Sequence, residues 1–259
     1  MRFRVYISNK PGRYGIKILW LNESSTGFAL NSIPYIGKKT LTEDKKSGVS
    51  IPEAVTVKLL KPYLQKGFNV TTDNWFTSSP LAENLMQNKT TIVGTVRANR
   101  HDIPPHAKSV RHREKKSSVY YASDNHTMLS YYDKGNKPVL LLSTMHTSAK
   151  NDDNGIPEIV SFYNETKGGT DNMDHMIRLY RSGKVSRRWP LTFFFNMIDV
   201  ALLNGCVYRS LHTQRNSKRF RRRFLLDVGY ELVDPYTKMR LNSERLPIRI
   251  LNATKLIGY

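Results

Sequence analysis

Residues 69–78 read NVTTDNWFTS, and the interpretation of the whole chain starts from this stretch. Residues 68–72 are rich in β-branched side chains and predict a short strand. Asp73 follows directly, at the carboxyl end of that strand. Because open α/β sheets bind their ligands beyond the carboxyl ends of their strands, Asp73 is a candidate site residue. The alternative is that Asp73 and Asn74 form an ordinary turn.

The segments around this stretch predict a mixed α/β layer architecture, with helices packed on a sheet. A capping box at 50–53 starts an amphipathic helix, and residues 38–48 are polar and predict a loop. The predicted order is strand, strand, helix, strand, helix, strand, over residues 15–21, 28–36, 51–64, 68–72, 81–87 and 90–97.

The second half of the chain changes in composition. Residues 105–157 are basic and predict a small, mostly β insertion with strands at 119–121, 128–132 and 139–143. A strand is predicted at 158–163, then a helix after Thr170, and a long apolar helix from Pro190. The predicted divisions are therefore a first core part (1–104), the insertion (105–157), a second core part (158–212) and a basic tail (213–259).

The charge of the chain points to a polyanionic partner. The 259 residues contain 41 Lys and Arg against 21 Asp and Glu, which gives a net charge of +20. Nucleic acid and an anionic membrane surface both fit that excess. The longest apolar stretch, 190–207, is interrupted by Asn196, Asp199 and Asn204, so it predicts a buried helix and disfavours the membrane. A single cysteine excludes an intrachain disulfide framework and a CxxC zinc site.

A second acidic site stands at the start of a predicted helix. Asp171 and Asp174 are three residues apart and share one helical face. Carboxylates gathered from separate strands and helices suit Mg²⁺, and two such ions activate an attacking oxygen and stabilise a leaving one at a phosphodiester. The alternative is that Asp171 is an N-cap and Asp174 interacts with the helix dipole.

Several ordered blocks give the chain a family resemblance. It resembles the catalytic core of piggyBac-type transposases and the host proteins derived from them, over residues 3–212. The blocks are VYISNKP (5–11), YGIKI (14–18), NVTTDNWFTS (69–78), PLA (80–82), TIVGTVR (91–97) followed by Asn99, IP (103–104), YNETKGGTDNMD (163–174) and RWP (188–190).

The resemblance implies an RNase H-like fold that carries an Asp-Asp-Asp metal site and is interrupted by an insertion. It assigns the second catalytic aspartate to Asp73, the third to Asp171 and a supporting acidic position to Asp174. It further implies Mg²⁺-dependent cleavage and strand transfer of DNA, with transposon ends and TTAA targets as DNA partners. It leaves a homodimer open.

One departure from the family pattern concerns the first catalytic aspartate. In the family this residue lies on a strand just upstream of the block that begins here at Phe3 and Arg4, so the expectation is that the first core strand is missing from this sequence. Loss of a metal ligand costs orders of magnitude in rate. We therefore expect the chain to be weakly active or inactive. The alternatives are a non-catalytic, element-derived DNA-binding protein and a general RNA- or chromatin-binding protein.

Basic and aromatic residues form the predicted DNA-binding surface. Trp75 either stacks on an unpaired base or packs in the core. The run 219–223 predicts nuclear import, with a solvated basic tail as the alternative. The predicted DNA-binding residues are Trp75, Lys108, Arg111, Arg113, Lys115, Lys116, Arg187, Arg188, Lys218, Arg219, Arg221, Arg222 and Arg223.

Overall fold

The structure, a computed structural model, describes residues 3–8, 13–42, 47–184, 186–214, 217–241, 247–249 and 252–253. The chain divides into two compact units, Met1–Leu179 and Tyr180–Tyr259. Arg215, one of the basic residues of the predicted tail at 213–259, lies outside the described residues.

The first unit begins with two antiparallel strand pairs and two helices. Strands β1 and β2 form a two-stranded ribbon, and β3 and β4 form the predicted hairpin. Part of the predicted loop at 38–48 is instead a one-turn helix, α1. The elements are β1 (Arg4–Tyr6), β2 (Tyr14–Ile16), β3 (Ile18–Asn22), β4 (Ala29–Pro34), α1 (Lys38–Thr42) and α2 (Ile51–Leu60).

A five-stranded sheet follows, in the order β5-β6-β9-β8-β7. Strands β5 and β6 are parallel, and every other neighbouring pair is antiparallel. The strands of the segment predicted as an insertion therefore extend the same sheet. The elements are β5 (Asn69–Thr72), α3 (Ser79–Gln87), β6 (Thr91–Thr95), α4 (Pro105–Lys108), β7 (Ser117–Ala122), β8 (Thr127–Tyr132) and β9 (Val139–Ser143).

Helices cover both faces of this sheet. Ile92 of β6 packs on one face against Leu81 and Leu85 of α3. Val93, the next residue along the strand, packs on the other face against Ile159. Successive residues of a strand point to opposite faces, so one strand supplies both apolar layers. This confirms the mixed sheet with flanking helices.

Helix α5 (Glu158–Thr166) corrects the strand predicted at 158–163, and α6 (Gly169–Leu179) follows it. The β-branched and aromatic residues of EIVSFY favour a strand locally. The segment is helical because Ile159, Phe162 and Tyr163, at helical spacing, cover one sheet face together.

The second unit contains two long helices, α7 (Trp189–Thr213) and α8 (Lys218–Leu241). Helix α7 confirms the long apolar helix, and by length and composition alone it is able to cross a membrane. Its Asp199 is nevertheless buried inside the unit, where it accepts hydrogen bonds from the Ser182 backbone N–H (2.9 Å) and hydroxyl (2.6 Å). Helix α8 occupies much of the segment predicted as a basic tail.

Candidate functional site

Asp73 lies in a tight turn at the carboxyl end of β5, and its side chain is exposed. The Trp75 backbone N–H donates to Asp73 Oδ1 at 2.9 Å, and the Phe76 and Thr77 N–H groups donate to the Asp73 carbonyl. This is an Asx-turn, so the turn alternative describes the local structure correctly. The turn also fixes the carboxylate at the edge where the site was predicted.

Gly94 of β6 lets this turn lie close to the neighbouring strand. The hydroxyls of Thr72 and Thr77 are 2.7 Å apart beside it. A Cβ atom on Gly94 would lie 2.6 Å from the Thr72 carbonyl oxygen and in contact with the Thr77 hydroxyl. The sequence signal for this contact is an isolated glycine inside a strand, which often marks close backbone approach. The sequence interpretation did not use it.

The residues just before Asp73 alternate between the two faces of the sheet. Val70 points into the cluster formed with α3, whereas the Thr71 hydroxyl lies 2.7 Å from the hydroxyl of Thr166, at the end of α5. Thr71 therefore lies on the sheet face that carries α5, two residues before the Asp73 turn.

The start of α6, which carries Asp171, is held by the turn of the β3–β4 hairpin. Thr170 donates to Asn22 Oδ1 at 2.9 Å, and Asn22 Nδ2 donates to the Met173 sulfur at 3.0 Å. The two backbones come so close that a Cβ on Gly169 would lie 3.1 Å from the Glu23 carbonyl oxygen. Gly27 has a positive φ of 73°, and a Cβ there would lie 3.1 Å from the Met173 nitrogen.

The hairpin turn itself is ordered by Glu23. Its carboxylate accepts hydrogen bonds from the backbone N–H and hydroxyl groups of Ser25 and Thr26. Burial raises the pKa of Glu23, but these hydrogen bonds to the charged form outweigh it and leave the pKa below the usual value. Glu23 is therefore a structural carboxylate that supports the surface against which α6 begins.

Asp171 and Asp174 lie in the first half of α6, Asp171 exposed and Asp174 half-buried. Asp171 is in the first turn of the helix, where a negative charge interacts favourably with the dipole. It is not the N-cap, because the helix begins two residues earlier at Gly169.

Carboxylates are the ligand type that Mg²⁺ prefers, so the chemistry of these three residues suits the ion. Among the described residues, no group of three or more His, Cys, Asp or Glu side chains is able to hold a metal ion. A common magnesium site for Asp73, Asp171 and Asp174 thus stays a prediction.

The predicted cations fall into two groups. Some are used inside the protein. Arg113 donates to the Ser117 and Ser130 carbonyls and hydroxyls at 2.8–3.2 Å. Arg221 is half-buried over the Tyr180 ring at 5.2 Å, and burial lowers its pKa. Arg223 pairs with Asp227 at 2.9 Å at the surface, with 78% of its side chain exposed. The other exposed ones are Lys108, Arg111, Lys115, Lys116, Arg187, Arg188, Arg219 and Arg222.

Trp75 packs partly inside the protein, as its core-packing alternative predicts, and its stacking on a base stays a prediction. Its ring is half-buried and packs edge-on against Phe76, with centroids 4.6 Å apart. The Lys17 ammonium lies 5.1 Å from the Trp75 ring centroid, in the range of a cation–π contact. Of the Lys218 side chain nothing is described; its backbone begins α8.

A strongly basic chain is typical of proteins that bind nucleic acids. A family model described as Transposase IS4 matches residues 1–206. The human PiggyBac transposable element-derived protein 3 is 24% identical over 211 residues, which cover 74% of this chain and 35% of the relative. This chain belongs to the IS4 transposase family, in its piggyBac-type branch.

A solved structure gives the same relationship at the level of the fold. A piggyBac transposase, determined by cryo-EM in a synaptic complex with hairpin DNA, superposes with a TM-score of 0.88 at 35% sequence identity. The match covers 97% of this chain and 53% of that chain. The present chain thus spans about a third to a half of the length of these relatives.

Proposed function

We propose that this chain is a DNA-binding piggyBac-type transposase core that, as the 259-residue chain, binds DNA but cleaves it weakly or not at all. The observation that carries the second half of the proposal is that the described residues form no group of three metal-ligating side chains. In this proposal, Asp73, Asp171 and Asp174 are the carboxylates that would take part in Mg²⁺-dependent strand cleavage and transfer at TTAA targets.

The geometry around the sheet supports an RNase H-like arrangement in which a further strand carries another carboxylate. Within the described sheets, β3 pairs only with β4, and β5 pairs only with β6. Leu21 of β3 and Val70 of β5 pack on one apolar cluster. A strand between these two edges would complete the sheet and bring an acidic residue next to the Asp73 turn.

The net charge and the exposed cations support DNA as the partner. Each phosphate that a Lys or Arg neutralises releases condensed counterions, so the logarithm of the affinity falls with the logarithm of the salt concentration by about 0.9 per contact. Arg187 and Arg188 are exposed and adjacent, before α7. The basic run 219–223 supports import of the chain into the nucleus. The proposal also includes a homodimer of this chain.

The binding half is tested by fluorescence anisotropy with a labelled duplex between about 50 and 200 mM salt. We expect strong salt dependence, with no change upon adding EDTA at constant ionic strength. The double variant Arg187→Gln/Arg188→Gln is expected to reduce the salt slope by about two and the affinity at low salt by about tenfold. Lys134→Gln/Lys137→Gln removes the same charge from another exposed site and is the matched control.

The cleavage half is tested on the same duplex by denaturing gel electrophoresis with Mg²⁺ or Mn²⁺. We expect no metal-dependent nick, and unchanged binding in Asp73→Asn and Asp171→Asn. A Mg²⁺-dependent nick that disappears in Asp73→Ala would show that the chain is a competent nuclease. Absence of duplex binding at low salt would overturn the binding half.

A further inference from the structure

The ribbon formed by β1 and β2 has features that the core of the first unit does not need. Arg4 pairs in register with Ile16, and Tyr6 pairs with Tyr14, so these four side chains share one face of the ribbon. Tyr6 is 52% exposed and Tyr14 is 59% exposed. Two large aromatic side chains are therefore presented to solvent on a single flat face.

The exposed side chains of this face already contact one another. The Tyr6 and Tyr14 rings are tilted by 51°, with their centroids 4.8 Å apart, and the Arg4 guanidinium carbon lies 4.1 Å from the centroid of the Tyr14 ring. The three groups form a contiguous cluster of planar side chains, called here the Arg4–Tyr14–Tyr6 stack. Such a stack is ordered before any partner arrives, which lowers the entropic cost of binding a further planar group.

The charge around the stack selects an anionic partner. Residues 1–22 contain five Lys and Arg residues and no Asp or Glu. Within the described part of the ribbon, Arg4 and Arg13 are exposed, and Lys17 follows β2 directly. An anionic polymer with planar groups along it meets both requirements, and a nucleic acid strand is such a polymer.

We propose that the Arg4–Tyr14–Tyr6 stack binds an unpaired segment of DNA, with bases stacked on the tyrosines and phosphates beside the cations. In a duplex, the faces of the bases are covered by neighbouring base pairs and cannot stack on side chains. A duplex would therefore contact this surface only through its phosphates, and that contact does not need the tyrosine rings. Stacking on side chains requires bases that are not paired. The proposal rests on the DNA binding proposed above and adds the form of DNA that this surface takes.

The ribbon also leads toward the acidic edge of the sheet. The Lys17 carbonyl is fixed by the Tyr35 N–H at 2.8 Å, and the Lys17 ammonium lies over Trp75, two residues after Asp73. Lys17 is three positions after Tyr14, or about 10 Å away along the chain at a rise of about 3.3 Å per residue. An unpaired strand on the ribbon would thus run alongside the connection to the Asp73 turn.

The experiment compares two probes on the whole chain by fluorescence anisotropy. One is a labelled single-stranded oligothymidine of about 12 nucleotides, and the other is a blunt duplex of similar length. The main variant is Tyr6→Val/Tyr14→Val, because valine keeps the strand propensity of a ribbon that is marginal by itself. We expect the single-strand affinity to fall about tenfold or more and the duplex affinity to change less than about twofold.

Three further variants make the test specific. Tyr6→Phe/Tyr14→Phe keeps the rings and is expected to bind the single strand as the unmodified chain does. Tyr230→Val/Tyr236→Val removes two exposed tyrosines from α8 and is expected to change neither affinity. Arg4→Gln is expected to lower the salt slope for the single strand by about one.

Each other outcome overturns the proposal in a distinguishable way. Equal losses for both probes would show that the ribbon contacts duplex backbone and not unpaired bases. No loss for either probe, in a chain that binds duplex in a salt-dependent manner, would remove the ribbon from the DNA surface and leave the proposed function standing. A chain that binds neither probe would remove the proposed function as well.

Discussion

Strands β5 and β6 with α3 behave differently from α8, although both regions are rich in apolar residues. In the first region, Leu85 and Ile92 are completely buried, and Gly94 has no room for a single added carbon. On α8, Leu232 is 74% exposed and Gly229 has open space around it. Around the Asp73 turn, close packing against neighbouring atoms limits which side chains fit. On α8, charge and intrinsic helix propensity determine which residues are tolerated.

The largest expected effect comes from truncating one leucine in each region. Leu85→Ala leaves a cavity beneath β5 and β6 and is expected to cost about 2–5 kcal/mol of unfolding free energy. Leu232→Ala removes an exposed side chain and is expected to cost less than about 0.5 kcal/mol. Denaturant unfolding of both variants, followed by circular dichroism, measures the difference. Equal losses would mean that the apolar face of α8 is covered in solution.

A second pair of variants applies the same substitution, glycine to alanine, in the two regions, and the two variants are expected to change stability in opposite directions. Gly94→Ala forces a Cβ against the Thr72 carbonyl and is expected to cost about 1–3 kcal/mol. Gly229→Ala meets no atom within 4 Å and improves a helix interior, so it is expected to stabilise α8 by about 0.5–1 kcal/mol. Hydrogen exchange of peptides from each region measures both.

For this pair, exchange is expected to become faster across residues 69–78 in Gly94→Ala and slower across α8 in Gly229→Ala. A Gly94→Ala chain with unchanged protection around Asp73 would contradict the close approach of the two strands. Faster exchange on α8 in Gly229→Ala would contradict a solvent-exposed helical glycine.

The elements with strong local signals were predictable from the sequence. The capping box was one of them, and in the structure the Ser50 hydroxyl accepts from the Glu53 N–H at 3.4 Å as the first contact of α2. The strand before Asp73 and the hairpin of β3 and β4 were also predictable, because their signals lie within a few residues. Placement of Asp73 at a sheet edge followed from the strand end alone.

The other features of the fold and the site depend on contacts between residues that are far apart in the sequence. A local sequence pattern gives no information about such contacts. Helix α5 was predicted as a strand, since EIVSFY fits a strand until the sheet is present for it to cover. The Asn22–Thr170 hydrogen bond, which fixes the start of α6, joins residues 148 positions apart. The hydrogen bonds of Arg113 within the protein were likewise not predictable, because its partner Ser130 lies on β8, 17 positions away.

The smallest expected effect is a pH dependence of stability that arises from His146, which lies just after β9 of the packed sheet. The Ser143 hydroxyl oxygen accepts from the N–H groups of Met145 and His146 at 3.1 and 3.0 Å. Its own proton is then left to donate to His146 Nδ1, 2.8 Å away. The imidazole is neutral in this arrangement, and its edge packs against Phe162.

Burial of the ring lowers the pKa of His146, and the nearby Glu158 carboxylate opposes this only in part. The folded protein therefore binds a proton at this ring less readily than the unfolded chain, whose histidine titrates at about pH 6.5. As the pH falls through that value, the unfolded state takes up more protons than the folded state. The contribution of His146 to the free energy of unfolding therefore decreases.

Urea unfolding at about pH 7.5 and about pH 5.5 tests this, on either side of the unfolded pKa. The unmodified chain is expected to lose more stability between these pH values than His146→Asn, in which the asparagine Oδ1 takes the place of Nδ1 as an acceptor for the Ser143 hydroxyl and does not titrate. His101→Asn, at an exposed histidine, is expected to leave the pH dependence unchanged. Identical pH dependence in the unmodified chain and His146→Asn would mean that the ring takes up a proton in the folded state without losing its place beside Ser143, and that this end of β9 tolerates charge as the surface of α8 does.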